Sequence, residues 1–76
     1  MTTYANLGGN SGVAAYEIGA GSIKVEEFND GSVYLYTNAS AGYANIQEMH
    51  RLARAGQGLS AYIKTTVKKW YASKLR

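Results

Sequence analysis

The chain has 76 residues, a formal net charge of +3 and neither cysteine nor proline. A chain this short buries only roughly 60–65% of the surface its unfolded form exposes, which limits it to one small core and disfavours most enzyme architectures. The missing cysteines rule out thiolate zinc sites, thiol catalysis, iron–sulfur ligation and disulfides. Charge is segregated: residues 1–48 hold Lys24 against five acids, a net −4, whereas residues 49–76 hold seven bases and no acid, a net +7. Such a block is the electrostatic footprint expected for phosphate backbones or acidic protein faces.

Residues 1–10 are polar and end on Gly8-Gly9-Asn10, which predicts a flexible N-terminal tail, with a single folded domain over residues 11–76. Neither a basic leader nor an apolar export core is visible there, so a soluble cytoplasmic protein is expected, with no membrane association. Val13 to Ile18 is partly β-branched and aromatic and stops at Gly19-Ala20-Gly21, a strand followed by a turn. Residues 22–28 alternate until Glu26-Glu27, where one extra residue predicts a bulge that returns Phe28 to the face of Ile23 and Val25. Asp30-Gly31 is a hairpin signal, and residues 32–37 form a third strand with Tyr34 and Tyr36 on one face.

After Thr37 the apolar period lengthens from two to that of a helix. Asn38 and Ser40 can cap a helix over residues 41–55 that aligns Ile46, Met49, Leu52 and Ala53. Gly56-Gln57-Gly58 ends it, and a second helix over residues 59–73, with Ser60 as a cap, aligns Leu59, Ile63, Val67 and Trp70. The fold class is therefore α+β: a three-stranded antiparallel meander followed by two helices packed on one face. Ile23, Val25, Phe28, Ile46, Met49, Leu52, Ile63, Val67 and Trp70 are expected to form its core.

Arg51, Arg54, Lys64, Lys68 and Lys69 are the candidate contacts for an anion or a nucleic-acid backbone, since two adjacent helices supply them and no acid is expected to neutralise them. Tyr34, Tyr36 and Tyr71 are possible stacking residues for unpaired bases, although tyrosines in a covered strand also pack as core. His50, the single histidine, belongs at the surface or boundary and has no partner set for a triad or a metal. Gly56-Gln57-Gly58 is explained by chain reversal as well as by phosphate binding. Asn38-Ala39-Ser40 matches a glycosylation sequon, which has meaning only on export. No nucleophile–base pair, metal set or cofactor motif is present, so no catalytic residue, metal or cofactor is expected and the chain is read as not an enzyme.

Ser11 with Val13, Tyr16-Glu17, the Ile23/Val25/Phe28 strand, Gly31, the central Tyr34-Leu35-Tyr36, Leu52-Ala53, Gly58, Tyr62 and Ile63-Lys64 follow one another in an order that resembles the KTSC domain. That family is named from the C-terminal extension of some lysyl-tRNA synthetases and also occurs as small free-standing bacterial proteins. The resemblance spans residues 11 to about 71 and rests on the tyrosine-any-tyrosine motif. Ser40-Ala41 stands where the family commonly has Val-Pro, and the extra residue at Glu26/Glu27 is not a family feature. The resemblance implies association with tRNA.

Two functions fit these readings. One is a small RNA-binding module using the basic C-terminal helical face; DNA is a variant, although the second helix offers no Arg, Asn or Gln to read base edges. The other is a protein-interaction module or small inhibitor of bacterial or phage type, whose basic helix docks on an acidic protein surface or in a nucleic-acid channel.

Overall fold

The computed structural model describes residues 1–7 and 12–76. Its architecture is α+β, with five antiparallel strands in chain order, β1 (Thr2–Thr3), β2 (Val13–Gly19), β3 (Ser22–Glu27), β4 (Val33–Thr37) and β5 (Ser73–Lys74), among the described residues. Between β4 and β5 come α1 (Asn38–Ala41), α2 (Tyr43–Ala55) and α3 (Leu59–Tyr62), the last running into a π-type turn over Ile63–Val67. The three central strands and the change to helix after Thr37 follow the sequence pattern. Both ends of the sheet depart from it.

The β2–β3 hairpin closes on Ala20-Gly21 between the paired Gly19 and Ser22, with Gly21 at φ 67°. The β3–β4 connection is held by Asp30, whose carboxylate accepts from Ser32 N–H at 3.0 Å; that bond keeps the Asp30 carboxyl below its ordinary value. Register then aligns side chains in rows across the sheet. Tyr16, Val25, Tyr34 and Lys74 form one row and Ile18, Ile23 and Tyr36 the next, all on the face that meets the helices. The opposite face carries Glu17 and Lys24, directly paired and 3.4 Å apart.

The expected bulge exists, but across the ladder. Val13 and Ala15 oppose the consecutive Glu27 and Glu26, so the extra residue is Ala14 on β2. The shift returns Val13 to the core face, and β3 keeps its strict alternation. Phe28 therefore points away from that face and is 68% exposed, not part of the core.

The expected flexible tail is a strand over its first residues. Thr2 and Thr3 pair with Tyr16 and Ala15, Tyr4 N–H donates to Ala14 carbonyl at 3.0 Å, and the Tyr4 ring is buried edge-on against Tyr16. Two threonines and a tyrosine are good strand formers, and β2 otherwise leaves an open edge. Leu7 N–H then donates to Gly56 carbonyl at 2.7 Å, and a Cβ at Gly56 would lie 2.6 Å from that of Ala5. Gly56, at φ 78°, is thus needed both to end α2 and to admit the N-terminal segment. Gly8-Gly9-Asn10 and the expected domain start at Ser11 lie outside the described residues.

Thr37, rather than Asn38, caps the helical region: its hydroxyl accepts from Ser40 N–H, and Ser40 reciprocates as the acceptor for Thr37 N–H. Gly42 at φ 96° separates α1 from α2. Ile46, Met49 and Ala53 pack on the sheet, as the stripe predicts, while Leu52 is half-buried. His50 is buried, contrary to its assignment to the surface or boundary. Its Nε2 lies 2.7 Å from Ser22 carbonyl, which can only accept, so the ring donates there and satisfies the start of β3.

The second helix stops well short of residue 73. Ile63–Val67 widens into the π-type turn, and Lys68 takes φ 45°, ψ −117° with its N–H on Ile63 carbonyl. Thr65, Thr66 and Val67 are three consecutive β-branched residues, poor in a helix, and Thr65 hydroxyl bonds back to Ala61 carbonyl. Beyond Lys68 the chain turns to β4, where Ala72 and Leu75 donate to Leu35 and Val33 carbonyls. Leu59 and Val67 are fully buried and Ile63 half-buried, but Trp70, past the end of the helix, is 52% exposed and not core.

Candidate functional site

The early end of the helix builds the most distinctive surface of the molecule. Lys68 and Lys69 turn the chain over the sheet, and Tyr71 lies against both tyrosines of β4, its ring centroid 4.7 Å from Tyr34 and 6.0 Å from Tyr36. Tyr36 hydroxyl donates to Lys68 carbonyl at 3.1 Å, tying the turn to the sheet. Burial, with Glu27 nearby, pushes the Tyr36 phenol up to about 12. Two adjoining hollows follow, one bordered by Lys64, Ser60 and Gly12, the other of about 170 Å³ bordered by Lys68, Lys69 and Tyr71. Glu27, Tyr34, Tyr36 and Ile63 border both, so they form one groove between β4 and the π-type turn.

Lys64, Lys68 and Lys69 therefore share one groove with Tyr34, Tyr36 and Tyr71. The three tyrosines differ in what they offer. Tyr36 is buried with its hydroxyl engaged and presents no free ring face, whereas Tyr34 and Tyr71 are half-buried. Lys74, read from sequence as lying beyond the second helix, is an addition: its Nζ stands 5.8 Å from the Tyr34 ring centroid, in the row shared with Tyr34. The signal for it was the alternation at the C-terminus after two aromatic residues, which a helical reading of residues 59–73 conceals. Glu27 is the second addition, masked because it was read as part of a bulge.

Arg51 and Arg54 do not border the groove; both are exposed on α2. Arg51 grips Glu48 with Nε–Oε1 at 2.8 Å and Nη2–Oε2 at 2.5 Å, which holds the Glu48 carboxyl below its usual range. The expectation that no acid opposes Arg51 fails because Glu48, three residues earlier, lies one turn away on the same helix. Arg76 is likewise paired, 2.7 Å from Glu26.

Tyr62 hydroxyl donates to Asn45 Oδ1 at 2.6 Å and Asn45 Nδ2 to Ala41 carbonyl at 2.7 Å, so α3 is pinned to the start of α2 and the groove wall is fixed. Gly56-Gln57-Gly58 serves chain reversal, with Gly58 at φ 86° and the Gly56 carbonyl taken by Leu7. Among the described residues no group of three or more His, Asp or Glu could hold a metal ion, and no helix is long and apolar enough to cross a membrane. The chain matches no family model, no curated protein and no solved structure.

Proposed function

We propose that this protein is a small non-catalytic module that binds single-stranded nucleic acid, RNA in preference, through the groove between β4 and the π-type turn. The observation that carries this reading is the placement of Lys64, Lys68 and Lys69 along one groove of two adjoining hollows, with Tyr34 bordering both and Tyr71 the second. Lysines supply mobile cations for phosphates, and half-buried tyrosines supply π-faces or edges for unpaired bases without demanding a sequence. The duplex major groove is less suited: α3 has four residues and ends in a π-type turn, too short for a reading helix. The KTSC resemblance, with the association with tRNA that it implies, and a cytoplasmic location are part of the same proposal.

Anisotropy titration with a labelled single-stranded RNA tests it. Each neutralised phosphate contributes a slope of about −0.7 to the log–log salt dependence, so the four cations Lys64, Lys68, Lys69 and Lys74 give a slope near −3. Replacing Lys64, Lys68 and Lys69 together by Ala flattens it by about 2. Absence of binding at about 50 mM salt, where non-specific association is strong, refutes the reading.

A second reading has its own observation. Trp70, 52% exposed beside Lys69 and Tyr71, is the kind of anchor that protein interfaces use, and a basic rim around it suits an acidic protein surface. If no nucleic acid binds and Trp70→Ala releases a protein partner recovered after nuclease treatment, the protein-interaction reading replaces the first.

A further inference from the structure

Four of the five acids have partners. Glu17 pairs with Lys24, Glu26 with Arg76 and Glu48 with Arg51, while Asp30 accepts from Ser32 N–H. Among the described residues, the Glu27 carboxylate has no hydrogen bond or ion pair, although Lys64, Lys68 and Lys69 border the same groove. Its backbone is fixed: Glu27 N–H donates to Ser32 carbonyl at 2.8 Å and its own carbonyl accepts from Gly31 N–H at 3.1 Å. The pleat, with Val13 opposite, keeps it on the core-facing side, where it borders both hollows beside Tyr34 and Tyr36.

A carboxylate in a phosphate-binding groove repels the backbone it is meant to bind, and it becomes favourable only where it meets donors. Two adjacent N–H donors match its two oxygens. Among the natural bases, guanine alone displays such a pair on its Watson–Crick edge, N1–H beside the N2 amino group. Adenine and cytosine set one donor next to an acceptor that a carboxylate repels, and uracil sets its single donor between two acceptors. The aromatic wall accepts any of these rings, so discrimination falls to the carboxylate.

We propose that Glu27 makes the groove a guanine-preferring site, its carboxylate accepting from N1–H and the N2 amino group of an unpaired guanine that lies against Tyr34 and Tyr71 while Lys64, Lys68 and Lys69 hold the flanking phosphates. The proposal rests on the nucleic-acid reading above and adds a base class to it.

The test compares four labelled RNA nonamers: uridine throughout, and the same chain with one central guanosine, inosine or adenosine. The wild type binds the guanosine nonamer about tenfold tighter than the all-uridine one, in the range a bidentate base contact provides. Inosine, lacking the amino group, falls between them, and adenosine gains nothing. In Glu27→Gln the guanosine preference disappears while affinity for the uridine nonamer holds or rises, because a repulsive charge is gone. Thermal denaturation of Glu27→Gln matches the wild type, since the carboxylate supports no other group. Equal wild-type binding of all four nonamers, or one common factor for all four on Glu27→Gln, overturns the guanine site and leaves the nucleic-acid reading standing. If none of the nonamers binds, both fall.

Discussion

The hydroxyl of Tyr4 is the sharpest probe of how the N-terminal segment holds the domain together. Leu59 N–H opens α3 after Gly58, which has no side chain to cap it, and among the described residues it donates to the Tyr4 oxygen at 3.2 Å across 55 residues. Leu59 is fully buried and Tyr4 is 4% exposed, so water does not replace the bond. Tyr4→Phe keeps the ring, its burial and its edge-on contact with Tyr16, and deletes one acceptor. An orphaned buried donor costs about 1–3 kcal/mol. Against the roughly 4–11 kcal/mol expected for 76 residues, a loss near 2 kcal/mol is a large fraction. At about 4–8 °C per kcal/mol for a domain of this size, Tm falls by roughly 8–16 °C. Tyr43→Phe, at a residue 67% exposed, is the control and stays within about 0.5 kcal/mol. Amide exchange monitored by NMR locates the effect, with Leu59 N–H losing protection in Tyr4→Phe before the sheet amides do. A Tyr4→Phe protein within about 0.5 kcal/mol of wild type, with Leu59 still protected, refutes the docking of the N-terminal segment and returns residues 1–7 to a tail.

Other outcomes follow from the same geometry. Trp70→Ala costs less than about 1 kcal/mol by denaturant titration, whereas Met49→Ala, at a fully buried site, costs about 2–5 kcal/mol; the reverse order restores Trp70 to the core. Lys68→Gly relieves a backbone conformation that L-residues rarely adopt, and raises stability by about 1 kcal/mol while removing about 0.7 from the salt slope for RNA. Arg51→Ala with Arg54→Ala leaves that slope within about 0.5 of wild type, because neither residue borders the groove. The Tyr36 phenol, raised to about 12 in the fold, keeps its proton where the unfolded chain has lost it, so its contribution to stability is complete below pH 10 and declines as pH rises from 10 towards 12; denaturant melts of Tyr36→Phe show a shallower decline over that window than wild type.

The part of the fold legible in the sequence is the part whose information is local. Alternation and Gly21 and Gly31 carry the two hairpins, and Ile46, Met49 and Ala53 repeat at helical spacing against one sheet face. What escaped depends on partners far along the chain. Thr2–Tyr4 reads as a tail until β2 offers an open edge, and Ala72 and Ser73 read as a helix end until β4 offers the other. Trp70 continues the stripe of Leu59, Ile63 and Val67 in a perfect helix; three β-branched residues and the bond from Tyr36 to Lys68 end that helix first. The three groove lysines were visible as a charge block. Their meeting with Tyr34 and Tyr71 was not, because it depends on the turn at Lys68. Arg51 was counted as unopposed because Glu48 fell on the other side of a boundary drawn at residue 48.

The closure of β4 by residues 72–76 sets an order of events during synthesis. The hairpins of β2, β3 and β4 contain only short-range pairings and can form within microseconds of leaving the ribosome. At roughly 5–20 residues per second, the 35 residues that separate Thr37 from Ala72 take about 2–7 s to add. Throughout that interval the nascent sheet has an unpaired edge at β4, with Tyr34 uncovered by Tyr71 and Lys74. An exposed edge beside an aromatic face is where chains join one another, so polysomes making this protein at high density, or a chain cut before residue 72, are the settings in which aggregation begins. The same timing means that the groove comes into existence last, after every strand and helix on which it stands.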